Sequence, residues 1–293
     1  MWSLNYAGTD YSFPKVAVTS VQVEGRVYRV ADTPNPNADG IRLGEDFADP
    51  GDIKLKLLIN FSTVRNLDLQ REMLNEAAES FLLAWDAPAL RAIPNAVGEL
   101  TIPSLGSFEG RPRRAEWDYS TFGLGYLIGT ATFIRSDLST FISESEGGGW
   151  REASVALVPP TTGGWVFPLV FPVSNLNPAR RGTHFEVGGT VPAAAIVEIA
   201  GPIQAGAELE LVGEWTVRTK QALAYDQTAR ADARNGRMLL TVNGQPSNWM
   251  APSSARLSQL RLPPGDRQIA LRGTSIEGTA HARVRWRDTK AGI

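Results

Sequence analysis

The chain has 293 residues, of which 43% are hydrophobic and 20% charged, with a formal net charge of −2 at pH 7. That length leaves room for two ordinary domains with a sizeable core, and the near-neutral charge gives no electrostatic pull towards nucleic acid or anionic lipid. There is no cysteine, which excludes disulfides, thiolate nucleophiles and cysteine-ligated metals and suits folding in a reducing cytoplasm. No apolar run is long enough to span a membrane, and MWSLNYAGTDYSF at the start has neither the basic nor the apolar region of a signal peptide. Of the 29 basic residues 24 are Arg and 5 Lys; Arg codons are GC-rich, so the bias reads as genome composition rather than function.

In chain order, Val16 and Val18, then Val21 and Val23, mark two strand phases interrupted near Ser20, and 27–30 is expected to close a hairpin at Gly25. Pro34, Pro36 and Asn37-Ala38-Asp39-Gly40 predict a loop over 33–50. The clearest early strand is 52–61, with Ile53, Leu55, Leu57, Ile59 and Phe61 inward and Lys54 and Lys56 outward. A helix is predicted over 67–86, because Leu69, Met73, Ala77, Phe81 and Trp85 recur every four residues beside Leu74, Ala78 and Leu82. Asn66 or Asp68 can cap its start and Pro88 stops it. Strands follow at 100–102, 113–119 (Ala115, Trp117 and Tyr119 on one face) and 126–134.

Turn formers at 143–149 and 158–164 flank a short strand at 153–158, so the domain division is expected near residue 145. The apolar run 165–173 carries Pro168 and Pro172 and fits an edge strand or connector. Exposed there, its aromatics would suit another subunit; packing between the two domains is an equal alternative. Beyond it, strands are predicted at 190–199, 208–217, 221–225, 229–234, 237–242, 268–272 and 280–287. About seven short strands with regular turns describe a β-sandwich. Asn235-Gly236 joins two of them as a type I′ hairpin turn. In its first arm Ala229, Ala231 and Ala233 point inward and Arg230, Asp232 and Arg234 towards water; past the turn Met238, Leu240 and Val242 share a face. In the last strand Ala282, Val284 and Trp286 point in, while Arg283, Arg285 and Arg287 form an outer row. That row could contact phosphate or an acidic partner; a solvated face that discourages edge pairing is the simpler reading. The fold class is therefore mainly β: two β-sandwich domains, the first with one packed α-helix.

The pattern offers little chemistry. Asp39, Glu45, Asp46, Asp49 and Asp52 lack calcium-loop spacing and read as a solvated loop. The glycines at 123, 125 and 129 lack GxGxxG and a following helix, so they read as a turn and a bulge rather than a phosphate loop. His184 and His281 are the only imidazoles, Asp226 and Asp232 are merely present as carboxylates, and no nucleophile or zinc motif occurs. No catalytic, cofactor-binding or metal-binding residue is predicted, nor any cofactor.

Gly189-Thr-Val-Pro-Ala193, Ile199-Ala-Gly-Pro-Ile203, Tyr225-Asp226 with 231–236, Leu262-Pro-Pro-Gly265 and Ala282-Arg-Val-Arg-Trp-Arg287 together resemble the C-terminal half of siphophage distal tail proteins, the Dit family. Over about 185–288 the resemblance implies a galectin-like β-sandwich. In the N-terminal half, Gly110-Arg111 before a strand and Phe133-Ile-Arg-Ser-Asp137 are similar to family segments, although Leu138 stands where the family has Pro. The resemblance implies a structural virion protein at the phage tail tip, assembled in host cytoplasm and not an enzyme. Residues 1–145 would build a homohexameric ring between the tail tube protein and the tail hub or tail-associated protein, and 146–293 would project outward. Tape measure and receptor-binding proteins are further partners it implies; nucleic acid and a membrane span are not. The 33–50 loop is the candidate subunit contact, since long ordered loops usually have a use. The alternative is a carbohydrate-binding module or a receptor-binding tail component: Asn177-Pro178-Ala179-Arg180 resembles the galectin N-P-R element with one residue extra and Asn175 in place of its His, and Trp150, Trp165 and Trp249 are stacking candidates.

Overall fold

The structure is a computed structural model that describes residues 2–25, 27–30, 32–34, 39, 41–42, 47–94, 96–103, 105–137, 139–142, 148–157, 182–234, 238–275 and 279–291. It is mainly β with one long helix. The chain divides into two units, Met1–Glu146 with Lys290–Ile293, and Gly147–Thr289.

The first unit contains β1 (Ser3–Tyr6), β2 (Thr9–Ser12), β3 (Ala17–Val23), β4 (Val27–Arg29), β5 (Thr33–Pro34), β6 (Ile41–Arg42), β7 (Phe47–Asp49), β8 (Asp52–Asn60), the helices α1 (Leu67–Asp86) and α2 (Pro88–Arg91), β9 (Gly98–Ile102), β10 (Gly106–Asp118), β11 (Tyr126–Arg135) and β12 (Ser139–Phe141). Its main sheet runs β2-β1-β9-β10-β11-β8-β3, and β12 pairs with β10. In β8, Ile53, Leu55, Leu57 and Ile59 are buried and Lys54 and Lys56 exposed, as the alternation predicts. On β11, Leu127, Ala131 and Phe133 lie opposite Ile59, Leu55 and Ile53 and are buried with them in one core. The break expected near Ser20 is a register shift between Val18 and Ser20 on β3.

Helix α1 has the predicted bounds. The Asn66 carboxamide oxygen caps it, accepting from the Asp68 and Leu69 N–H groups at 3.0 and 3.2 Å. Its buried stripe differs from the prediction: Gln70, Leu74, Ala77, Ala78, Phe81, Ala84 and Trp85 are buried, whereas Leu69 is exposed. The reason is Gln70, whose amide donates to the carbonyls of Phe61 and Val64, so this polar residue holds the inward position in the first turn. Pro88 does end α1, through Ala87 in a left-handed conformation, and then opens α2.

Three further expectations change here. Residues 27–30 do not close a hairpin on β3; β4 pairs with β7 instead. The 33–50 segment carries ladders, β5 with β6 and β7 with β4, because its prolines interrupt only parts of it. The strand expected at 113–119 begins at Gly106, and a register shift between Pro112 and Ala115 absorbs its proline.

The second unit contains β13 (Trp150–Ala156), β14 (Gly182–Val187), β15 (Ala193–Ala194), β16 (Ile196–Ala200), β17 (Glu208–Leu211), β18 (Trp215–Arg218), β19 (Thr228–Asp232), β20 (Leu239–Val242), β21 (Gln245–Pro246), β22 (Arg261–Leu262), β23 (Gly265–Arg272) and β24 (His281–Arg287). One sheet runs β13-β24-β16-β19-β20-β21, another β14-β23-β17-β18, and β15 pairs with β22. Val197, Ile199, Ala229, Ala231, Ala282, Val284 and Trp286 from the first sheet share one core with Leu209, Leu211, Val217, Ile269 and Leu271 from the second. The 208–217 prediction splits into β17 and β18 around the turn at 212–214. The 190–199 prediction breaks at Ala195 into β15 and β16. Residues 221–225 form no strand; Leu223 makes a single bridge to Ile203. Strand β14 was not foreseen. Strands β19 and β20 pair antiparallel as predicted, Ala229 opposite Val242. The Asn235-Gly236 turn, the 165–173 run and most of the turn-rich stretches about residue 145 fall outside the described residues.

Candidate interaction surfaces

On the six-stranded sheet the charges alternate with core residues but are not simply solvated. The Asp232 carboxylate receives the Arg234 guanidinium in a fork, Nε to Oδ1 at 2.8 Å and Nη2 to Oδ2 at 2.6 Å. Both residues are buried, which corrects the expectation that this arm shows its charges to water. Arg230 bridges Asp232 and Glu198, at 3.3 Å to each. Arg283 donates two bonds to Glu198 Oε2, at 2.9 and 2.6 Å, and reaches Glu152 at 3.6 Å. Burial alone would raise the Asp232 carboxyl, but the hydrogen bonds and charge of Arg234, with the charge of Arg230, outweigh it and hold it below its usual value. Hydrogen bonding and charge from Glu198 raise Arg283.

Arg283 of the 283–285–287 row is therefore part of a braced network. Strand β24 lies between β13 and β16, not at an edge; Arg283 is paired and Arg287 is buried. Arg285 stands 5.2 Å from the Trp150 ring centre, as does Arg234. The edge part of the solvated-face reading is overturned, because β24 is an interior strand and the neighbouring strands supply carboxylates to Arg283.

This arrangement is poorly suited to chemistry. A glycosidic acid needs a carboxyl raised towards neutrality, and Asp232 is moved the other way. Asp226 lies in the turn before β19, and its carbonyl accepts from Asn243. His184 is on β14 and His281 on β24, in different sheets. Among the described residues no group of three or more His, Cys, Asp or Glu side chains is placed to hold a metal ion. Asp49 of the acidic segment pairs with Arg29 and Asp52 opens β8; Glu45 and Asp46 fall outside the described residues. Gly129 is explained by packing: a Cβ there would come within 2.5 Å of the Trp117 indole. Gly125 ends the turn Tyr119–Leu124 in a left-handed conformation.

Of the stacking candidates, Trp249 is wholly buried, with its indole N–H donated to the Arg230 carbonyl at 3.1 Å. Trp150 is exposed but flanked by the two guanidinium groups. Trp165 and 177–180 fall outside the described residues. No helix among the described residues is long and apolar enough to cross a membrane.

The first unit has a groove of about 620 Å³ where α1 runs past β10. Leu82, Trp85 and Ala115 line it, with Leu83 at its rim, 75% exposed. Glu79 and Asp86 come from the helix, Arg113, Arg114 and Glu116 from the strand, and Arg91 from α2. Nothing local in the sequence points to it, because Leu83 lies outside the repeating apolar positions and Arg113 belongs to a distant strand.

No family model matches the chain. No curated protein matches it. Among solved structures, the SPP1 Dit protein superposes with a TM-score of 0.56 at 10% identity over 99% of both chains. The fold is shared with that protein. The SPP1 protein is described as a paradigm of the hub adsorption apparatus in phages that infect Gram-positive bacteria. A chain of the phage P2 baseplate, in its activated conformation with calcium, superposes with a TM-score of 0.51 at 9% identity over 100% of this chain and 98% of that one. At such identities the likeness speaks for backbone architecture.

Proposed function

We propose that the chain is a structural protein of a phage tail tip: a Dit-like distal tail protein whose first unit forms a six-membered ring between the tail tube and the tail-tip hub. The observation that carries this reading is the end-to-end likeness to the SPP1 Dit protein, which runs through both units rather than one widespread module. The chemistry of the molecule supports it. Charged side chains on the six-stranded sheet neutralise one another, and stiffness rather than reactivity follows from that network. A ring needs two different surfaces that meet by rotation, and it needs no active site. The second unit is read as a galectin-like sandwich that projects from the ring, with its two sheets sharing one core.

The reading is tested by negative-stain images of the purified full-length protein. Six-fold rings are expected; particles that stay single at tens of micromolar protein would refute it.

A further inference from the structure

Resting on the ring reading above, we infer that neighbouring copies join by laying the β4–β7 arm of one copy into the groove between α1 and β10 of the next. The arm leaves the sheet between its edge strand β3 and β8. Its base is built to hold a fixed direction. Buried Arg135 donates to the carbonyl of Gly51 at 2.7 Å and of Glu24 at 2.8 Å, tying the two sides together. They approach so closely that a Cβ at Gly51 would lie 2.3 Å from the Gly25 carbonyl oxygen. Beyond this base β4 buries none of its side chains; Val27 and Tyr28 are 57% and 55% exposed, and Val30 beside them 62%. A two-stranded ladder is marginal alone in water, and this one exposes apolar side chains on both faces, Val27 on one and Tyr28 on the other.

Charge selects the groove as the place this arm goes. Across the arm, Arg29 Nη2 lies 3.0 Å from Asp49 Oδ1, and both side chains are well exposed. Alternation puts Val27 on the face that carries Arg29, and Asp49 is the residue opposite Val27. That face therefore offers one apolar residue, one cation and one anion. The groove offers the complement: an apolar rim at Leu83, Glu79 on the helix wall and Arg113 on the strand wall. Neither Glu79 nor Arg113 makes an ion pair among the described residues. Seated there, Val27 covers Leu83, Arg29 faces Glu79 and Asp49 faces Arg113. The arm and the groove are different surfaces of one chain, so the contact is head-to-tail and propagates from copy to copy.

The absence of cysteine makes the test direct. In the full chain, V27C with L83C should give, on mild oxidation, a ladder of disulfide-linked species reaching six chains that collapses on reduction. V27C or L83C alone should give nothing beyond a linked pair, and the two single variants mixed should give a mixed pair through one disulfide. Both positions are exposed, so neither change disturbs a core. If rings form but neither the ladder nor the mixed pair appears, or if the double variant links only within its own chain, the groove assignment is wrong and the ring reading survives. If the unmodified chain makes no ring, the ring reading itself has failed.

Discussion

Asp232 and Arg234 lie two residues apart, both buried and bonded to each other. Removing one partner of a buried, hydrogen-bonded pair leaves the other uncompensated and costs about 3 kcal/mol. Asp232→Asn should therefore lower the melting temperature at pH 7 clearly. The sign of the pH dependence follows from the depressed carboxyl. A carboxyl lowered on folding stabilises the protein above its unfolded value, about 3.9, and loses that contribution as pH falls through the folded value. The gap between Asp232→Asn and the unmodified protein should narrow as pH is taken from 7 to below 3.9. Thermal melts across that range check this, and a gap independent of pH would show that Asp232 is not charged in the fold. The inward Ala229, Ala231 and Ala233 were legible in the sequence, since methyls alternating with charges leave one choice of core face. The burial of the charges was not. Glu198 is 85 residues from Arg283, and nothing local announces that the two meet.

At the scale of the element, α1 shows how far periodicity reaches. Length and cap were readable because Asn66, a run of apolar positions and Pro88 are local signals. The rotation of the buried stripe was not, because it depends on Phe61 and Val64 presenting carbonyls to Gln70. The corrected stripe makes a paired prediction. Leu74→Ala, at a wholly buried position, should destabilise by about 2–5 kcal/mol. Leu69→Ala, at an exposed one, should stay within about 0.5 kcal/mol. Asn66→Ala should cost about 1 kcal/mol through loss of the cap. Urea unfolding monitored on the helix measures all three, and equal losses at Leu69 and Leu74 would return the stripe to its simple four-residue repeat. In the same way, the Pro-interrupted 33–50 segment concealed two ladders, since strand pairing across such a stretch is set by partners rather than by propensity.

For the molecule as a whole, the sequence supports a mainly β reading with one packed helix, and the structure agrees. Sheet order was the part it withheld: β8 pairs with β11 and β3, β24 with β13 and β16, and such register lies in no single window of residues. The groove beside α1 was withheld for the same reason. Leu83 and Arg113 are polar-face and strand-face residues taken singly; a groove appears only when α1 is laid beside β10. Among the described residues no group of three or more His, Cys, Asp or Glu side chains is placed to hold a metal ion. The ring proposed above rests on the end-to-end likeness in fold.

Native mass spectrometry of the purified chain tests this most directly. The account predicts a dominant species at six times the 31.8 kDa chain mass, shifting to smaller species when Leu83 is replaced by Glu. A protein that flies only as a 31.8 kDa monomer at micromolar concentration would contradict it.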